Sequence, residues 1–105
     1  MSVAGRIVLA AIATMVLGLA PLIARAQDDI AGRVRQIVAE HFRIAETQVT
    51  DEASLKRDLG ADELDLVELV MAFDAAFGTR IPDAEIDGMR TVGDAVRIVA
   101  ESPRS

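Results

Sequence analysis

Beyond residue 26 the apolar positions recur with the period of a helix and nowhere alternate like a strand. Ile30, Val34, Ile37, Val38 and Phe42 fall on one stripe, which predicts a helix starting near Asp28 or Asp29. Arg33, Arg35 and Glu40 take its other faces. A connection of about twenty residues follows over 43–61, long for a small domain. Ile44, Val49, Leu55 and Leu59 recur through it, so it is expected to pack on the core. Asp62 is a candidate N-cap for a second helix, with Asp65 three residues on as an imperfect capping box. That helix runs to about Phe77, and Gly78 is its natural stop. Pro82 opens a short third helix through about Asp87, ended by Gly88. Thr91 caps a last helix whose inner stripe is Val92, Ala95, Val96 and Val99, and Ser102-Pro103 ends it. The expected fold is all-α, with four helices, one long loop and one core.

The second helix is apolar on more than one face. Leu64, Leu66, Val67, Leu69, Val70, Met71, Phe73 and Phe77 are too many for a single stripe. Such a helix is either buried on all sides or offers part of that surface to a partner, and periodicity alone leaves both open.

The first 26 residues have a different character. They hold no acid and two basic residues, Arg6 and Arg25, around an uncharged apolar run over 7–24. Ala24-Arg25-Ala26 fits the small-x-small rule of a signal-peptidase site, and Gln27-Asp28-Asp29 opens a polar region. The layout predicts a signal peptide over 1–26 and a mature domain over 27–105, periplasmic or secreted. The rival is an uncleaved membrane anchor, because a run of about 18 residues just spans a bilayer. Pro21, just before the cleavage pattern, favours cleavage.

All 17 acids lie beyond that segment, so its removal takes the formal net charge of −6 further negative. A strongly acidic surface excludes nucleic acid, which needs a basic face, and points to a protein partner with a basic surface. No cysteine is present, so no disulfide staples the domain.

From residue 30 to about 99 the sequence resembles the bacterial acyl carrier proteins without a gap. The matching strings are Val49-Thr50, Asp58-Leu59-Gly60-Ala61-Asp62, Val67-Glu68-Leu69-Val70-Met71-Ala72 and Ile81-Pro82-Asp83. The resemblance implies an antiparallel four-helix bundle with a long first loop and a short third helix. It implies a recognition surface on the second helix. There Asp62, Asp65, Glu68 and Asp74 keep the acidic pattern, and Leu64, Val67 and Met71 match the apolar contacts. The other five apolar residues are then core. Lower down the pattern thins: Ala75, Ala76 and Gly78 stand where acids are common, and Arg80 adds a positive charge.

The departure is at residue 63. The family reads L-G-A-D-S-L-D, and its serine holds the 4′-phosphopantetheine arm; this chain reads L-G-A-D-E-L-D over 59–65. A carboxylate has no hydroxyl for the phosphodiester, and the acyl phosphate it would form hydrolyses readily. The expectation is an unmodified Glu63 and no cofactor. Ser54, Ser102 and Ser105 lie elsewhere in the chain. Two readings of Glu63 stand side by side. An acid at the first helical position is favoured by the helix dipole alone; a fixed anion there also imitates the phosphodiester of a modified carrier.

Other chemistry is sparse. His41, the sole histidine, reads as a helix-edge residue without a partner, and no Cys/His cluster offers a transition-metal site. Asp62, Glu63 and Asp65 can hold a divalent cation weakly, but a solvated acidic helix start accounts for them. No nucleophile–base pair is visible, so no metal, no catalytic residue and no enzymatic activity are expected. The leading expectation is an exported, monomeric interaction module of carrier type without a prosthetic group. The alternatives are an acyl carrier in fatty acid, lipid or polyketide synthesis, and a non-covalent carrier of an acyl chain.

Overall fold

Residues 29–42 form α1, which buries Val34, Ile37, Val38 and Ala39 and packs Ile30 and Phe42 against the core. This is the expected stripe. The helix ends where Arg43 turns into the left-handed region at φ 57°, and the Ile44 N–H closes back on the Ala39 carbonyl at 3.0 Å. The computed structural model describes residues 29–105. The signal peptide or anchor expected over 1–26 lies outside the described residues, and among those described no helix is long and apolar enough to cross a membrane.

The long loop is built rather than slack. A 3-10 turn spans Glu46–Gln48, and Val49, Ala53 and Leu55 are buried, with Ile44 and Leu59 half-buried against them. Backbone hydrogen bonds tie the loop to the start of the last helix. Leu55 N–H donates to the Arg90 carbonyl at 2.9 Å, Val92 N–H to Ala53 at 3.1 Å and Gly93 N–H to Asp51 at 2.9 Å. Gly93 has a steric reason to be glycine, because a Cβ there would stand 3.2 Å from the Asp51 carbonyl oxygen.

Helix α2, Glu63–Phe77, directs Leu66, Leu69, Val70 and Phe73 inward at i, i+3, i+4 and i+7. Gly78 ends it at φ 65°, a conformation that costs an L side chain about 1–2 kcal/mol. The expected third helix is present as a 3-10 helix, Asp83–Gly88, with Pro82 at its N-cap rather than inside it. It buries no side chain and is too short for a sustained i→i+4 ladder. Helix α3, Val92–Glu101, buries Val92, Ala95, Ile98 and Val99. Val96, expected on the inner stripe, is half-buried, and Ile98 takes the deeper place. The chain end runs beside the segment after α2: Arg80 N–H donates to the Pro103 carbonyl at 2.8 Å and Ser105 N–H to Gly78 at 2.9 Å. The described residues are thus a four-helix bundle with a packed first loop, a short third helix and no strand.

Candidate functional site

The start of α2 is fixed by two aspartates. Asp65 N–H donates to Asp62 Oδ1 at 2.8 Å, and Asp62 N–H donates to Asp65 Oδ2 at 3.0 Å. The capping box is therefore complete, with the shorter aspartate doing at the third position what glutamate does in the usual box. The Asp62 backbone N–H, and after it the His41 imidazole, hold the Asp65 carboxyl below the usual carboxylate range.

Glu63 is the first residue of the helix, and its exposed side chain accepts a hydrogen bond from Lys56 Nζ at 3.1 Å. The loop that delivers Lys56 is shaped by Ser54 and Asp58. Asp58 Oδ2 accepts the Ser54 N–H at 2.7 Å, and Ser54 Oγ accepts the Arg57 N–H at 3.1 Å. Ser54 is thereby built into a turn.

Of the eight large apolar residues on α2, three face water: Leu64 is 64 % exposed, Val67 41 % and Met71 65 %. They stand at i, i+3 and i+7, one stripe of the helix. Leu66, Leu69, Val70 and Phe73 are buried, and Phe77 is half-buried against the core. Beside the apolar stripe, Asp62, Glu63 and Glu68 are exposed and Asp65 is half-buried. Asp74 stands apart from this group. Its Oδ1 accepts the Thr79 hydroxyl at 2.9 Å and the Ile81 N–H at 3.0 Å, so this half-buried acid closes the turn after α2. Thr79 itself is buried, and Asp74 supplies its acceptor.

A cavity of about 400 Å³ opens beside Glu63. Leu66, Ile86 and Met89 form its inner wall, and Lys56, Arg57 and Arg90 lie at its edge with Glu63.

Two relationships escape the sequence reading. Lys56 gives Glu63 a counter-charge from seven residues upstream. His41, which reads as solitary, reaches across from α1: its Nε2 is 2.9 Å from Asp65 Oδ1 and 3.7 Å from Glu68 Oε2. The trio Asp62, Glu63 and Asp65 does not gather its carboxylates; among the described residues the group that brings three potential ligand atoms together is His41, Asp65 and Glu68. The signal for it was available only as two features 24 residues apart, a histidine late in α1 and acids at i and i+3 on α2.

Against known proteins, the family described as "Phosphopantetheine attachment site" matches over residues 32–99. Among solved structures, the acyl carrier protein from Enterococcus faecalis is similar. It is 38 % identical, and the match covers 72 % of this chain and 98 % of that chain at a TM-score of 0.61.

Proposed function

Because the chain belongs to the phosphopantetheine attachment site family, the acyl carrier proteins, we propose that it is a carrier-type interaction module that works without the arm. The family consists of carriers, not enzymes; its members interact with proteins and carry acyl chains. The observation that carries this reading is Glu63. It occupies the first position of α2, where the family resemblance puts the attachment serine, and its exposed carboxylate is held toward Lys56. No hydroxyl is offered at that place, while a fixed negative charge is. The exposed Leu64, Val67 and Met71, beside Asp62, Asp65 and Glu68, form the docking face, and its partner presents a basic groove. Export follows from the signal layout of residues 1–26 and agrees with loss of the arm, since coenzyme A and its transferase act in the cytoplasm.

Intact mass of the protein purified from its native host tests these points together. The expected mass is that of an unmodified chain starting at Gln27, with or without cyclisation of that glutamine. An added phosphopantetheine arm overturns the reading. A chain retaining residues 1–26 overturns cleavage and leaves an anchored module.

A second reading is supported by the cavity beside Glu63. Its apolar wall of Leu66, Ile86 and Met89 fits an acyl chain held without a covalent bond, and Arg57 and Arg90 stand at its mixed-charge edge with Lys56, Glu63 and Asp87. Displacement of a fluorescent fatty acid, lost on Ile86→Glu at the half-buried Ile86, supports it; no binding removes it.

A further inference from the structure

We propose that His41, Asp65 and Glu68 bind one divalent transition-metal ion of the zinc class, bridging α1 and α2. His41 projects from the last turn of α1, while Asp65 and Glu68 stand three apart on α2 and so share one face of it. The two carboxylates sit 2.9 Å and 3.7 Å from His41 Nε2, and the three ligand atoms all lie within 4.8 Å of one another. A tetrahedral zinc with bonds of about 2.0–2.2 Å needs ligand atoms about 3.3–3.6 Å apart. The two distances from the imidazole bracket that value, and the third lies within 4.8 Å, so side-chain adjustment is what the ion requires.

The groups around the ligands suit the task. Asp65 divides its carboxylate: Oδ2 accepts the Asp62 N–H, which orients Oδ1 toward His41. A hydrogen bond of this kind to a ligating carboxylate fixes its direction toward a metal. Among the described residues neither Asp65 nor Glu68 is paired with a lysine or arginine. Two carboxylates therefore converge on a single imidazole, and a dication balances them better than a proton does. The donor set decides the metal class. One imidazole nitrogen with two carboxylate oxygens suits zinc and its neighbours, whereas magnesium and calcium favour all-oxygen shells. Glu68 is exposed, so water completes the coordination, giving three protein ligands and an open position. The site stands whether or not α2 docks a partner. If it does, the ion neutralises two acids of that face.

The test uses the full chain without a histidine tag and Zn²⁺ alone as the probe. His41 is the sole histidine, so imidazole nitrogen NMR reports on one side chain. Zinc is expected to bind one to one, to shift the His41 Nε2 resonance, and to raise Tm with free zinc concentration. His41→Gln and Glu68→Gln are each expected to weaken binding by about tenfold or more, since even an outer partner is worth that much. Asp83→Asn, an exposed acid on the 3-10 helix, is expected to leave it unchanged, and excess Mg²⁺ not to compete. Circular dichroism without zinc establishes that the variants are folded. An Nε2 resonance that stays put at saturating zinc overturns the proposal. So does either variant binding zinc as tightly as the wild type.

Discussion

Lys56 Nζ stands 3.1 Å from Glu63 Oε1, so the loop before α2 brings a cation to the first residue of that helix. The free N–H groups of a helix start already favour an anion there. Glu63 supplies one permanently and Lys56 answers it from outside. The pair is exposed, so its contribution to stability is small. Its effect is on what the helix start presents to another molecule.

Changing that residue separates the missing hydroxyl from the rest of the surface. The wild-type chain, mixed with coenzyme A and a promiscuous phosphopantetheinyl transferase, is expected to keep its mass. Glu63→Ser is expected to gain one arm, read by mass spectrometry. Its thermal stability is expected to fall by no more than about 1 kcal/mol, the scale of a dipole-favoured acid. If the serine variant stays unmodified, the thinned acids lower on α2 have cost it the transferase.

Docking can be divided into steering and grip. Glu68→Lys is expected to slow association with a basic partner and to flatten its salt dependence, because exposed charges act mainly on encounter. Met71→Ala is expected to raise the dissociation rate, weakening binding by more than about 1 kcal/mol, or about fivefold. Both are measured by surface plasmon resonance against a partner isolated from the host. Undiminished binding by the double variant places docking elsewhere.

Asp74 belongs to the scaffold, and its removal reads out differently. Asp74→Ala leaves the buried Thr79 hydroxyl and the Ile81 N–H without their acceptor. The expected cost is about 1–3 kcal/mol in urea unfolding. Phe73→Ala, which empties a fully buried site, is expected to cost about 3–5 kcal/mol. Met71→Ala is expected to be close to neutral by the same measurement, since its side chain faces water.

Acid weakens the fold through its caps. Asp65 and Asp94 both hold the third position of a capping box, and both carboxyls are held below their usual range, first by backbone N–H groups. A carboxyl whose folded pKa is depressed adds stability above its unfolded value of about 3.9, and loses it as pH falls through the folded value. Urea midpoints are therefore expected to be insensitive to these groups above about pH 5 and to fall below about pH 4. Asp94→Asn is expected to flatten part of that fall.

What the sequence made legible was local. Asp62, Thr91 and Gly78 announce helix ends because a cap acts within four residues of itself. Val34, Ile37 and Val38 announce the core of α1 because their spacing alone puts them on one side. Leu64, Val67 and Met71 needed more: periodicity shows that α2 is apolar on more than one face, and the family resemblance chose which residues face water. The meeting of His41 with Asp65 depends on how α1 lies against α2, which no local pattern records. Asp74 was misleading for the same reason. Its acidity suits a recognition surface, but the turn through Thr79 and Ile81 folds back onto it. On α3, Ile98 is buried while Val96 is only half-buried, a choice between two flanks of one helix that depends on how α3 packs and that periodicity alone does not make.

The backbone hydrogen bonds between Asp51, Ala53 and Leu55 on one side and Gly93, Val92 and Arg90 on the other join two stretches far apart in sequence. Neither can open without exposing the other, so they form one unit in the sense of native-state amide exchange. The amides of Leu55, Val92 and Gly93 are therefore expected to exchange only with global unfolding, as slowly as those in the middle of α2. Lys56 rides on that unit. The cation facing Glu63 is thus anchored through its backbone to the far end of the chain, and loosening α3 would blur the charge at the start of α2 without touching either residue.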